Sequence, residues 1–289
     1  MNLRLQYARP QNLEQTIGLL DGLGSGAMII SGGQEIMPFI NYGRLTPSVL
    51  VDIGALKELQ GIETAEDGIS IGALTVHRDV QSNPIVVESL PLLAHAAKQI
   101  GGGWQVHNRG TIAGNVVAMH PLYDIIPVLL ALDANIEIAD AAGSRTESLA
   151  NLITSTSHKL GTNAVLVRVV IPKPASGQGW GYEKLKIAEG SYGSANAAAV
   201  VSVSKDGNLS DLHLVLGAVT EQPIDLSAAL NESGINQPGS ELDEAITAAC
   251  AAAIKNPLSD QRGHGEYRQA MAAVVARRAV ATAIVNASA

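Results

Sequence analysis

"GAMIISGGQEIMPFI", Gly26 to Ile40, runs an apolar strand into two adjacent glycines and then at once into a glutamine, a glutamate and a proline. Glycine tolerates positive φ and lets a backbone approach a ligand closely. A strand ending in Gly32-Gly33 therefore aims several N–H donors at one anion, and a phosphate fits that description. Taken alone, the pair reads first as a tight turn that needs left-handed residues. It is neither G-x-G-x-x-G nor a P-loop, because no lysine follows the second glycine.

Working outward from this stretch, "LQYARPQNLEQTIGLLDGLGSGAMII" predicts a short strand, a helix with Leu13, Ile17 and Leu20 at helical spacing, a Gly-rich break and a second strand. That is a small β-α-β unit, extended by an apolar strand at Val49 to Ile53. From about Thr64 the texture shifts to short strands such as "GISIGALTV", an apolar helix "SLPLLAHAAKQI", a glycine cluster, the apolar stretch "PVLLALDANIEIA" and the strand "AVLVRVVIP". "IPKPASGQGWGY" combines chain breakers and places a domain boundary near residue 175. Beyond it, "AAAVVSVSKDGNLSDLHLVLGAVT" reads as two antiparallel strands joined at Asp206-Gly207. The chain then turns to Ala-rich helices in "ELDEAITAACAAAIK" and "EYRQAMAAVVARRAVATAIV". The fold class expected is α+β, a mixed N-terminal half followed by a sheet covered by helices.

The chain has 289 residues, 46% hydrophobic but only 3% aromatic, so its core is built from Ala, Val, Ile and Leu. A net charge of −8 with scattered Lys and Arg leaves no basic stripe for a nucleic-acid backbone. The single cysteine, Cys250, closes no intrachain disulfide and holds no iron–sulfur cluster. It reads as a small buried hydrophobe. The N-terminus lacks the apolar core of a signal peptide and no run of about 20 apolar residues is expected to span a membrane, which points to the cytoplasm. His77, His95, His107, His120 and His158 lie without metal spacing and read as loop or solvated histidines. Trp104 and Trp180 sit among glycines, where they pack across subdomain or subunit contacts or are partly buried within the chain. Paired catalytic carboxylates and nucleophile elbows are absent from the pattern.

A second glycine loop strengthens the first. "RGTIAGN", Arg109 to Asn115, again sets Gly, a hydroxyl, Gly and a carboxamide close together. Two such loops on separate structural units could grip the two phosphates of a dinucleotide. Asp124, in "HPLYDIIP", either accepts from a ribose hydroxyl or caps the following helix.

"SGGQEIMPFINYGRLTPSVLVDIGALKELQGIE", "QVHNRGTIAGNVVAMHPLYDIIPVLLALDA" and "GWGYEKLKIAEGSYGSANAAAVV" together resemble the flavin-binding medium subunit of the molybdenum hydroxylases, the group of xanthine dehydrogenase and carbon monoxide dehydrogenase. The resemblance covers nearly the whole chain, in order. It implies a vanillyl-alcohol-oxidase-type FAD-binding domain over residues 1–175, with subdomains at about 1–58 and 59–175, and a C-terminal domain of a small antiparallel sheet with helices over 176–289. It also implies that Ile29, Ile30, Ser31, Gly32, Gly33, Gln34, Glu35 and Ile36, with Thr111, Ile112, Ala113, Gly114 and Asn115, embrace the FAD pyrophosphate, and that Pro38 ends the first loop. Asp124 is then expected near the flavin nucleotide, Leu166 on a strand whose backbone meets the cofactor, and Lys184 or Lys186 near the flavin ring, the register being ambiguous by two residues. Tyr192 takes the place of an aromatic against the isoalloxazine. Ala113 replaces a usual glycine, and the Arg and Asp that many members carry around Ile187 to Ser191 are missing.

The function so implied is an electron-transfer subunit. A large partner would hold molybdopterin, a small partner two-iron two-sulfur clusters, and FAD on this chain would pass electrons to an external acceptor. A self-contained FAD-dependent oxidase and a non-catalytic nucleotide-binding assembly module are the alternatives.

Overall fold

The computed structural model describes residues 5–154, 160, 163–175 and 177–287. In chain order the elements begin with β1 (Gln6–Ala8), α1 (Leu13–Leu23), β2 (Ala27–Ile30), α2 (Ile36–Asn41), β3 (Val49–Asp52), β4 (Ile62–Ala65), β5 (Gly68–Gly72) and α3 (His77–Ser82). There follow α4 (Pro84–Ser89), α5 (Pro91–Gln99), α6 (Gly103–Arg109), α7 (Ile112–Ala118), α8 (Ile125–Ala131), β6 (Asn135–Asp140), β7 (Gly143–Ser148), α9 (Leu149–Thr154) and β8 (Val165–Ile171). The last are β9 (Gln178–Lys186), β10 (Gly193–Val203), β11 (Leu209–Gly217), β12 (Ile224–Asp225), α10 (Ser227–Glu232), α11 (Ser240–Ala253) and α12 (Gly265–Ala287). They form two compact units: Met1–Val80 with Gly103–Ala118 and Ala134–Pro172, and Gln81–Gly102 with Met119–Asp133 and Lys173–Ala289.

The first unit opens with the β-α-β arrangement. Asn12 caps α1 by accepting from the Gln15 amide at 2.9 Å, and the helix closes on Gly24 at φ 55°, a conformation glycine takes without strain. Leu20 is fully buried on its inner face. The parallel sheet that results has the order β1-β3-β2, with Ala27 opposite Val49 and Ile30 opposite Asp52. A second sheet, ordered β4-β5-β8-β6-β7, is antiparallel throughout its described pairs. Its β5 and β8 carry α7.

The second unit is built on an antiparallel sheet ordered β12-β11-β10-β9, its β10–β11 hairpin in a register that sets Val200 against His213. One face, with Ala195, Ala197, Ala199, Leu212, Leu214 and Leu216, packs against Ile246 and Cys250 of α11 and Ala276, Ala279 and Val280 of α12. Small residues let the layers close up: a Cβ added at Gly179 or Gly181 would stand 1.9 Å from the carbonyl oxygen of Ala283 or Ala279. On β9's other side chains, the His95 ring lies 5.4 Å from Trp180 and 6.1 Å from Tyr182.

Several expectations are corrected. Among the described helices, α12 is long and apolar enough to cross a membrane by length and composition, although no such run was expected; its small residues form part of the second unit's core. The "RGTIAGN" stretch is a turn between α6 and α7 rather than a loop throughout, because Thr111 caps the new helix. Pro38 sits in the first turn of α2, where a missing N–H costs nothing, instead of ending the loop. His77 is 3% exposed rather than solvated.

Candidate functional site

The first loop leaves β2 at the end of its pairing with β3, where Ile29 stands opposite Val51 and Ile30 opposite Asp52. Of the two glycines, Gly33 takes the left-handed conformation at φ 72°. Gly32 answers a different demand: a Cβ there would stand 1.7 Å from the carbonyl oxygen of Arg109, so only glycine lets the two loops close on each other. Ser31 Oγ and Thr111 Oγ1 meet at 3.2 Å across the same seam, and Gln34 Nε2 donates to the Gly32 carbonyl at 3.2 Å. Glu35 precedes α2, which Ile36 begins. Among the described residues, the backbone amides of Gly32, Gly33 and Gln34 make no hydrogen bond, and all three residues are only partly buried. Three consecutive donors are thus left without a protein acceptor.

The second loop spends its donors differently. Ile112 N–H donates to Thr75 O at 2.9 Å, Ala113 to Ala73 O at 3.3 Å, Gly114 to Thr111 Oγ1 at 3.1 Å and Asn115 to Thr111 O at 3.0 Å. The amides of Ile112 to Asn115 are therefore satisfied within the protein, whereas that of Thr111, 5% exposed, makes no hydrogen bond among the described residues. Also left over is the carboxamide of Asn115, 7% exposed, whose Oδ1 is buried without a hydrogen-bond partner. Beneath the turn lies His77, whose amide donates to Gly110 O at 3.0 Å and whose ring would meet a Cβ at Gly110 at 2.9 Å. Burial, and secondarily the neighbouring His107, push the His77 imidazole down to about 4. Leu166, 4% exposed, lies on β8, and the next residue's carbonyl, Val167 O, accepts from Ala73 N at 2.9 Å, tying that strand to the segment beside α7.

In the second unit the alternation of β9 sets Tyr182, Lys184 and Lys186 on one face. Asp124, 2% exposed, accepts from Tyr182 Oη at 2.7 Å and from Lys184 Nζ at 2.8 Å. Burial raises its carboxyl against the opposing pull of Lys184 and Tyr182, and the same burial holds the Tyr182 phenol well above its ordinary value. The carboxylate makes no side-chain cap to α8. Lys184 Nζ also donates to Gln99 O at 2.8 Å and is 2% exposed, whereas Lys186, at 22%, bonds Gln99 Oε1 and Glu189. Tyr192 enters a ladder of rings: its centroid is 5.5 Å from His120, which stacks on Tyr123 at 4.9 Å, while the Arg262 guanidinium covers Tyr192 at 5.1 Å.

Tyr182, Gln99, His77 and Arg262 were not singled out from the sequence as site residues. Tyr182 alone carried a signal, as an aromatic in an aromatic-poor chain two residues before Lys184 on a strand. The others are brought in by long-range contacts. Trp180 packs on His95, while Trp104 is 73% exposed beneath the Arg78 guanidinium, 5.5 Å from its ring centroid. Among the described residues no group of His, Cys, Asp and Glu could hold a metal ion, and His158 lies outside them.

Two family models match the chain. One, described as the FAD binding domain in molybdopterin dehydrogenase, covers residues 3–174, and the other, the CO dehydrogenase flavoprotein C-terminal domain, covers residues 180–283. The chain is similar to the carbon monoxide dehydrogenase medium chain of Hydrogenophaga pseudoflava, 35% identical over 96% of each chain. It is also similar to the glyceraldehyde dehydrogenase medium chain of Sulfolobus acidocaldarius, 30% identical over 94% of this chain and 96% of that one. Among solved structures, carbon monoxide dehydrogenase from Hydrogenophaga pseudoflava lacking the Mo-pyranopterin moiety of its cofactor superposes with a TM-score of 0.92, at 34% identity over 98% of each chain.

Proposed function

The chain belongs to the family of FAD-binding medium subunits of the molybdopterin dehydrogenases, and from that premise we propose that it is the electron-transfer subunit of a heteromeric molybdenum hydroxylase. In this reading electrons arrive from iron–sulfur clusters of a small partner, substrate is oxidised at a molybdopterin centre in a large partner, and an external acceptor removes the electrons. FAD, when bound, supplies the redox chemistry, while the chain binds and orients it.

The observation that carries the reading is the run of unused amides at Gly32, Gly33 and Gln34, in the same unit as the unpartnered Asn115 carboxamide. Consecutive backbone donors at a strand end favour an anion, and a buried polar group left without a partner favours a ligand that supplies one. We therefore assign the pyrophosphate to Ile29–Ile36 and Thr111–Asn115, with Ser31 and Thr111 holding the seam between them. Both oxygens of Asp124 are already engaged, so its part is to fix Lys184 and β9, and the more accessible Lys186, with Tyr192, serves the flavin portion. Leu166 and its strand support the second loop from beneath.

Purification of the complex from its native host tests this directly. It should contain FAD equimolar with this chain, and acid precipitation should release the flavin into the supernatant. A complex without flavin would sink the assignment, and flavin retained in the pellet would refute non-covalent binding.

A further inference from the structure

Arg268 of α12 is fully buried, and a buried guanidinium is costly unless its donors are met. Here they are. Nη1 donates to Ser194 O at 2.8 Å and to Ala218 O at 2.5 Å, Nη2 to Asp260 Oδ1 at 2.5 Å, and Nε to Gly263 O at 3.3 Å. One side chain thus ties the turn at 260–263 to β10 and to the residue after β11. Ala218 is itself held at φ 61°, a left-handed conformation unusual for alanine. Within the turn, Arg262 N donates to Asp260 Oδ1 at 2.7 Å and Arg262 O accepts from Ser194 Oγ at 2.8 Å, so both of its main-chain polar atoms are fixed. Its side chain borders a groove of about 640 Å³ lined also by Lys186, Ile187, His264 and Tyr267. The guanidinium pairs with Asp260, Nη1 to Oδ2 at 3.6 Å, and lies 5.1 Å from the Tyr192 ring centroid, while the His120 ring lies 5.5 Å from the same ring.

We propose that Arg262 is the positioning residue of Tyr192, and that the buried Arg268–Asp260 clamp fixes the turn from which Arg262 acts. The π-face of a tyrosine attracts a cation, and a guanidinium carried on a fixed turn confines the ring it covers at little entropic cost. Tyr192 is thereby held in the ring ladder before any cofactor arrives. The inference rests on the reading that Tyr192 serves the flavin portion of FAD, and it adds residues that no glycine motif or aromatic count would have marked.

The test uses the chain with 3-fluorotyrosine incorporated, the Tyr192 ¹⁹F resonance being assigned by Tyr192→Phe, and the complete complex stripped of FAD and titrated with it. Arg262→Gln should move the Tyr192 resonance toward that of an exposed tyrosine and weaken FAD binding about fivefold. Arg262→Lys, which keeps the cation, should restore both to within about twofold of wild type. Asp260→Asn, which keeps the Arg262 side chain but removes the carboxylate that pairs with both Arg268 and the Arg262 guanidinium, should move the same resonance in the same direction by less. An unchanged resonance in Arg262→Gln would overturn the proposal, and so would a displaced resonance with unchanged FAD affinity. Failure of the flavin assignment itself would show separately, as a wild-type complex that carries no FAD.

Discussion

His77 shows how a single side chain binds sequence-distant parts of the site. It starts α3, yet its ring lies under Gly110 and its amide holds the Gly110 carbonyl, so it supports the turn that carries Thr111 and Asn115. Its Nδ1 is buried without a hydrogen-bond partner, and burial lowers its imidazole to about 4 from an unfolded value of 6.5. Between those values the unfolded chain binds the extra proton, so stability rises with pH. The contribution is complete above 6.5 and is lost as pH falls through about 4, amounting to about 3 kcal/mol over the window. Urea unfolding of wild type and His77→Gln between pH 7 and pH 4 checks this: the wild type should lose more stability on acidification, and parallel losses would refute it. A lone histidine has no periodicity, which is why its burial was illegible in the sequence. Gly32 was half legible. The pattern marked it as a glycine the loop requires, but the reason, the Arg109 carbonyl where a Cβ would stand, is a contact between distant segments.

Among elements, those with a clean period were read well and those defined by capping were not. The helix at Leu13–Leu23, the strands at Ala27–Ile30 and Val49–Asp52, and the hairpin across Asp206-Gly207 follow their spacing. The short helices α2, α6 and α7 were missed because they are six or seven residues long and begin amid Gly, Pro or Thr, where the sequence reads as loop. The Ala-rich helices were recognised, but the closeness with which α12 lies on β9 is encoded jointly by alanines on one element and glycines on the other. That pairing makes the same substitution opposite in sign at two glycines. Gly18→Ala, in the exposed middle of α1 with nothing within 4 Å of the new Cβ, should stabilise by about 0.5–1 kcal/mol through helix propensity. Gly181→Ala, whose Cβ would stand 1.9 Å from Ala279 O, should destabilise by about 3 kcal/mol by overpacking. Denaturation midpoints decide it, and a neutral Gly181→Ala would mean that α12 does not lie on the strand as closely as described.

For the whole molecule, what matters is which chemistry its side chains decline to do. Two buried charged groups are committed to structure: Asp124 to Lys184 and Tyr182, and Arg268 to three carbonyls and Asp260. Cys250 is buried, with its thiol pushed up to about 11 by desolvation, and is therefore no nucleophile near neutral pH. Asp124, Arg268 and Cys250 are thus not available to activate an organic substrate, which accords with the proposed role of binding and orienting a flavin. The consequence is measurable in a subcomplex of this chain and the small iron–sulfur partner, loaded with FAD and lacking the large subunit. Offered carbon monoxide, aldehydes or N-heterocycles in a rapid-scan spectrophotometer, it should keep its oxidised flavin band, while dithionite should bleach that band and show the cofactor to be competent. Restoring the large subunit should let the complex's own substrate bleach it at a catalytic rate. Bleaching by an organic substrate without the large subunit would instead make this chain a free-standing oxidase, with its substrate site against the flavin.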